Sequence, residues 1–219
     1  MSNTNNRISK LEREVERLKK YITIRDGVWI EEYIDSLDKY IIDYRKIGDE
    51  ETIMRLELDN LIMCHARSKK DFMEYCRRAV LQMESFMEWG LRNKMDNPRK
   101  VKKYWKKAQK NKVNRIGERA RSDFPSNIGR AGFSDCLETS FLIFYDSNFY
   151  EIDFVKDQFF CLLKTNSIRN IASHGSEDGN WESRMTSAQK KFYKNRDTKY
   201  KEIIDNMKKI KTKVVEHFE

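Results

Sequence analysis

Glycine and proline are scarce in this chain. Only eight of its 219 residues are glycine and two are proline, whereas β-rich and loop-rich proteins need many of both at their turns. Hydrophobic residues make up 39% of the chain and aromatic residues 12%. That is enough to build a buried core, and it excludes the composition of a disordered chain. The scarcity of turn residues therefore predicts an all-α fold.

Long apolar runs are also absent. The longest apolar stretch, residues 141–145, falls far short of the roughly 18 residues that a membrane-spanning helix needs. The first residues are polar and lack the apolar centre of a signal peptide. We therefore expect a cytoplasmic protein that does not bind a membrane.

Closely spaced metal ligands are missing as well. The cysteines are scattered and include no CxxC pair, which favours small buried hydrophobes over zinc ligands. Glycine-rich phosphate loops do not occur. We predict neither a metal nor a cofactor. The four cysteines are Cys64, Cys76, Cys136 and Cys161.

Apolar residues near the start of the chain follow the 3,4 spacing of a heptad seam. Two heptads are too few for an independent coiled coil. The seam is therefore either a dimerising stalk or one face of an amphipathic helix that lies on the domain. We divide the chain into this coiled-coil-like helix, residues 1–26, and a helical domain, residues 27–219. The seam residues are Ile8, Leu11, Val15, Leu18 and Ile22.

Capping signals and apolar phase predict the remaining helices. Gly48 is expected to end one helix, and Ser68 to Asp71 resemble a capping box that opens another. Pro98 stops that helix, and Thr165 offers a fresh helix start. The predicted helices cover about 29–48, 49–66, 72–95, 134–145, 152–163 and 187–217.

Positive charge is concentrated in residues 92–121. This segment holds thirteen basic and two acidic residues, a net charge of +11, and the whole-chain charge of +9 leaves −2 for the remainder. One interpretation is a surface that follows phosphates, with an aromatic ring stacking on a base. The other is a solvated face whose aromatic residues anchor to the core. The apolar stripe of a membrane-surface helix is missing. The predicted RNA-binding residues are Arg99, Lys102, Lys103, Tyr104, Trp105, Lys106, Lys107 and Lys110.

One motif carries candidate chemistry. Arg169, Asn170 and His174 are spaced as R-N-x3-H, after an apolar segment and directly before a glycine. This pattern resembles the signature of the HEPN superfamily, many of whose members are metal-independent ribonucleases in toxin–antitoxin, abortive-infection and antiviral defence systems. The resemblance implies an HEPN-like helical bundle, RNA as substrate, and a homodimer whose two motifs face one cleft. It also implies an antitoxin or regulatory partner.

These residue types suit RNA cleavage. Attack of a 2′-OH on the neighbouring phosphorus needs a proton acceptor, a proton donor and cationic support, and histidine and arginine supply them near neutral pH. On a helix, Asn170 and His174 share a face, while Arg169 lies about 140° from His174. We therefore predict that these three residues are catalytic. Asn170 is expected to orient the imidazole or contact the phosphate, while the long Arg169 reaches round.

Several alternatives stay open. The alternative to the motif is that His174 is an ordinary helix-end histidine with Arg169 on the surface. Ser176 replaces the tyrosine that some HEPN toxins carry two residues after the histidine. Glu84 and Glu88, one turn apart, either position Arg169 or face solvent. Instead of an endoribonuclease, the chain can be a non-catalytic RNA-binding or assembly module, or a structural protein that dimerises through the heptad seam.

Overall fold

The computed structural model describes residues 40–93, 98–116, 132–145, 148–173 and 181–219. These residues form seven α-helices and three short 3₁₀ turns, and they contain no β-strand, which confirms the all-α prediction. None of the described helices is long and apolar enough to cross a membrane. The helices are α1 (Glu50–Ser68), α2 (Phe72–Asn93), α3 (Pro98–Ile116), α4 (Phe133–Phe144), α5 (Asp153–Ser173), α6 (Ser187–Lys194) and α7 (Arg196–Glu216).

Three predictions fall outside the described residues: the heptad seam, the division of the chain at residue 26, and most of the helix at 29–48. The structure describes the end of the segment predicted as this helix, where Arg45–Ile47 form a 3₁₀ turn followed by Gly48. Gly48 has φ 76°, the left-handed conformation that favours glycine, and it ends this short turn. Residues 41–44 are not helical, so the predicted helix that continues to Gly48 is wrong.

The first two helices begin at aspartate caps. Asp49 accepts hydrogen bonds from the backbone N–H and the hydroxyl of Thr52, at 3.3 and 2.7 Å. Asp71 accepts from the backbone N–H of Glu74 at 3.0 Å. Ser68 is instead the last residue of α1, so the predicted capping box was wrong and Asp71 alone caps α2. Pro98 begins α3 as its first residue, a position that needs no N–H donor.

Helix α5 is longer than the sequence suggested. The predicted fresh start at Thr165 is wrong because the helix runs without a break from Asp153 to Ser173. The Thr165 hydroxyl donates back to the carbonyl of Cys161 at 2.9 Å, and Ser167 donates to Lys164 at 2.7 Å. Both hydroxyls therefore turn onto the preceding helical turn instead of capping a new one.

The C-terminal helix of the prediction is two helices. Thr186 and Gln189 form a reciprocal capping box that starts α6, and the chain breaks at Asn195 before α7. Tyr75 of α2 donates its hydroxyl to the Tyr200 carbonyl of α7 at 2.8 Å. This bond, together with stacked and edge-on rings of Phe72, Tyr75 and Tyr200, holds the start of α2 against α7.

Helix α2 is the centre of the bundle, since α1, α4, α5 and α7 all pack against it. At Gly90 an added Cβ would lie 3.4 Å from Val214 and 3.6 Å from Phe144, so the glycine allows α2 to pass close to α7 and α4. Helix α4 is buried on almost every side; Ser134 is its only residue that is not buried. The described core is therefore built around α2 and α4, with α5 and α7 enclosing them.

Candidate functional site

The arginine of the R-N-x3-H motif lies near the end of α5. Its guanidinium donates from Nη2 to Oε2 of Glu84 on α2 at 3.2 Å. Both side chains are half-buried, with 24% of the Arg169 and 30% of the Glu84 side chain exposed. The packing of α5 on α2 thus fixes one side of the guanidinium and leaves part of it open to a ligand.

Glu84 sits on a helix whose neighbouring turns are apolar. Val80, Met83 and Met87 around it are all buried. Burial raises the pKa of the Glu84 carboxyl above its usual 4.5, Arg169 opposes this shift, and the nearby Glu88 adds to it. The ion pair with Arg169 therefore offsets only part of the cost of placing this carboxylate between helices.

Asn170 and Asn166 complete the surroundings of the arginine. Nη1 of Arg169 lies 3.4 Å from Oδ1 of Asn170 and 3.5 Å from Oδ1 of Asn166. Asn170 is exposed, so its amide and the open part of the guanidinium face the same solvent. Two polar groups suited to phosphate oxygens are thus placed side by side.

His174 lies outside the described residues. It follows Ser173, the last residue of α5, directly in the sequence. The predicted sharing of a face by Asn170 and His174 stays a prediction. What the described residues establish is that Arg169 and Asn170 lie near the end of a long helix, where the prediction had a helix start, and that Arg169 contacts α2.

The two glutamates of α2 have different partners. Glu84 contacts Arg169, whereas Glu88 pairs with Arg92 of the same helix at 2.8 Å. Neither is fully exposed: the Glu88 side chain is 32% exposed. Of the two alternatives for this pair, positioning of Arg169 fits Glu84, and an ordinary helical ion pair fits Glu88.

Helix α3 displays most of its predicted RNA-binding residues to solvent. Its buried residues, Val101, Trp105, Ala108 and Gln109, lie on one face that packs on α4. The opposite face is basic. Arg99, Lys102, Lys103, Lys106 and Lys110 are exposed on it, and Tyr104 and Lys107 are half-buried.

Trp105 is the exception among those residues. Only 1% of it is exposed, and it is among the largest fully buried side chains. This placement corrects the expectation that its ring stacks on a base, because the indole would have to leave the core to do so. Trp105 anchors α3, and Tyr104 is the aromatic residue of this helix that reaches the surface.

The four cysteines are all free and buried, as predicted for small core residues. Burial raises the pKa of the Cys64, Cys136 and Cys161 thiols to about 12. At neutral pH the thiols are therefore held in their protonated form, which is a poor nucleophile.

Comparisons with protein-family models, with curated proteins and with solved structures find no match to this chain. A function for it consequently depends on its own residues and on their geometry.

Proposed function

We propose that this protein is a metal-independent endoribonuclease of HEPN type that acts as a homodimer. Its biological role would be that of a toxin or an anti-phage defence effector. It would cleave RNA to 2′,3′-cyclic phosphate and 5′-OH ends. The observation that carries the proposal is the half-buried Arg169, held 3.2 Å from Glu84 and beside Asn170, within a motif that continues to His174.

The chemistry assigns a role to each motif residue. Arg169 stays cationic and stabilises the charge that develops on the phosphorane oxygens. Asn170 offers an amide to a phosphate oxygen or to the imidazole. His174 moves protons near neutral pH. One chain supplies one such histidine, so a two-fold axis through the cleft would provide both the base for the 2′-OH and the acid for the leaving 5′-oxygen.

A second feature, the basic face of α3, supports the proposal that the protein binds RNA. The described part of α3 presents six exposed cations, Arg99, Lys100, Lys102, Lys103, Lys106 and Lys110. A phosphate backbone is attracted to such a face whatever its sequence. Tyr104, half-buried on the same helix, would offer a ring to an unpaired base.

The deciding experiment is RNA cleavage by the purified full-length chain in the presence of EDTA. We expect single-stranded RNA to be cut, and His174→Ala and Arg169→Ala each to lower the rate by at least about 100-fold. His65→Ala is the matched control, since His65 lies at the end of α1 and outside the motif. Unchanged cleavage by His174→Ala would overturn the proposal, as would RNA ends that carry a 5′-phosphate.

A non-catalytic RNA-binding module is the second candidate, favoured by the basic face of α3 alone. It predicts salt-dependent binding of RNA and RNA that stays intact after long incubation with the dimer. It also predicts that Arg169→Ala changes neither property.

A further inference from the structure

A groove lies between the start of α5 and the C-terminal half of α7, on a part of the molecule that the proposed cleavage site does not use. Its volume is about 380 Å³. Phe154 and Gln158 of α5 line one side together with Tyr145, and α7 lines the other side. The site is an open groove and not an enclosed cavity.

Phe154 places an exposed aromatic ring on one side of this groove. It is 66% exposed, more than either of the other large exposed hydrophobic residues of the described chain, Met54 at 52% and Leu58 at 45%. Next to it, Tyr145 donates its hydroxyl to Oε1 of Gln158 at 3.0 Å, and burial raises the pKa of that hydroxyl. The Tyr145 ring is therefore fixed, while the Phe154 ring presents its surface to solvent.

The opposite wall is cationic. Lys208, Lys209 and Lys213 line the groove and are opposed by one acidic lining residue, Glu216. Lys209 and Lys213 are exposed, and Lys208 is half-buried. An exposed aromatic ring facing several cations favours a ligand that combines flat rings with negative charge.

We infer that this groove binds a nucleotide of single-stranded RNA, with its base stacked on Phe154 and its phosphates held by Lys209 and Lys213. The inference rests on the proposed function and adds a binding subsite to it. A lipid surface fits less well, because an interfacial helix inserts a continuous apolar stripe. Here, a single phenylalanine lies in a groove between two helices.

The groove lies near the start of α5, whereas the arginine of the proposed cleavage site lies near its end. Phe154 and Arg169 are fifteen residues apart, which corresponds to about 22 Å along the helix axis and to a rotation of about 60°. On the side of α5 between them, Gln158, Cys161 and Thr165 are buried. Packed residues therefore separate the groove from Arg169, and the groove is a subsite distinct from the cleavage site.

The first test compares stacking with charge. The full-length chain is titrated with a short 2′-O-methyl oligonucleotide, which cannot be cleaved, and with the same oligonucleotide carrying abasic positions. Fluorescence anisotropy gives the Kd of each. We expect Phe154→Ala to weaken binding of the base-containing strand by about 5-fold or more and to leave binding of the abasic strand unchanged. Leu58→Ala is the control, a similarly exposed apolar residue on α1.

The second test concerns the lysines. The double variant Lys209→Gln, Lys213→Gln should reduce the slope of log K against log salt by about 1.4, since each phosphate contact with a single strand contributes about 0.7. The control removes the same charge elsewhere through Lys69→Gln and Lys70→Gln, which are exposed at the turn between α1 and α2. Equal slopes in the two double variants would contradict the assignment.

The outcomes separate this inference from the proposed function. If Phe154→Ala binds like Leu58→Ala while the wild-type chain cleaves RNA through His174, the groove assignment fails and the proposed function stands. If Phe154→Ala loses base-dependent binding but RNA stays intact, the groove stands and the ribonuclease proposal fails. Phosphatidylserine vesicles that bind through Phe154, with no effect of Phe154→Ala on oligonucleotide binding, would overturn the choice of RNA.

Discussion

Glu84 and Arg169 are 85 positions apart in the sequence, and their side chains are 3.2 Å apart in the structure. The contact joins α2, the central helix of the bundle, to the end of α5, which carries Arg169 and Asn170 of the R-N-x3-H motif. Because the Arg169 side chain is long, an anchor on one side limits where its guanidinium can point. Glu84 is therefore a positioning residue for the proposed reaction.

Loss of this anchor is expected to affect turnover more than substrate binding. Glu84→Ala frees the guanidinium, and a misplacement of about 1 Å in a charged group that supports the transition state can reduce kcat about 100-fold. Glu84→Gln should fall between the wild type and Glu84→Ala, because its amide oxygen still accepts a hydrogen bond from Arg169. The measurement is kcat and KM for RNA cleavage at constant salt.

Glu88→Ala is the matched control for this prediction, since Glu88 lies one turn away and pairs with Arg92. Equal losses of kcat in Glu84→Ala and Glu88→Ala would assign both effects to general charge and not to positioning. Thermal unfolding of both variants establishes that each is folded.

The stability of the protein should depend on pH through Glu84. Its folded pKa is raised above the ordinary value of 4.5, chiefly by burial. The native state therefore binds a proton more tightly than the unfolded chain does. The contribution of the group to stability is fully present below about pH 4.5 and is lost as the pH rises through the folded pKa.

Glu84→Gln removes this titration. We therefore expect the Tm of the variant to rise relative to the wild-type Tm as the pH is raised from 4 to 7.5. Thermal unfolding at a series of pH values checks the difference. If the wild-type Tm instead rises relative to the Tm of the variant over this range, the ion pair with Arg169 contributes more to stability than burial of the carboxylate costs.

A buried hydrogen-bonded link should contribute measurably to folding. Tyr44 donates its hydroxyl to Oε1 of Gln82 at 2.9 Å, and Gln82 donates to the Leu56 carbonyl of α1 at 3.0 Å. Tyr44→Phe removes one donor and leaves a buried amide oxygen without that partner. This should lower the free energy of unfolding by about 1–3 kcal/mol. Urea unfolding measures it, and Tyr104→Phe on the surface of α3 should change it by less than about 0.5 kcal/mol.

Trp105 and Tyr104 are adjacent in the sequence but should respond differently to substitution. Trp105→Ala opens a cavity in the core and is expected to cost about 3–5 kcal/mol of stability. Tyr104→Ala truncates a half-buried ring, so it should lower the Tm much less than Trp105→Ala does, and it should weaken RNA binding by about 5-fold or more through lost base stacking. Thermal unfolding and RNA binding are measured on both variants. A Trp105→Ala chain that keeps its Tm would contradict the placement of the indole in the core.

Local signals in the sequence predicted a large part of the fold. The low glycine and proline content gave the all-α class, and Asp49, Gly48 and Pro98 lie at the helix boundaries where their backbone preferences place them. The errors arose where packing between helices outweighed the local preference of a residue for a helix cap. Thr165 has a cap-forming side chain, but its hydroxyl bonds within α5, because packing against the bundle favours one continuous helix.

The candidate residues divide in the same way. The spacing of Arg169, Asn170 and His174 and the charge of residues 92–121 are properties of the sequence alone. Two other questions depend on which helices pack together. One is whether Glu84 faces solvent or positions Arg169, and the other is whether Trp105 lies in the core or on the surface. Phe154 lies in the helix predicted over 152–163, and only the structure shows that it is exposed beside the lysines of α7.

The amino-acid sequence by itself therefore determined the helical class, the position of the basic segment and the motif. Each of these follows from composition or from spacing over a few residues. Only the tertiary structure decided that Glu84 holds Arg169, that Trp105 is buried, and that Phe154 lines a cationic groove. The physical reason is that burial and ion pairing depend on distances between helices that are far apart in the sequence.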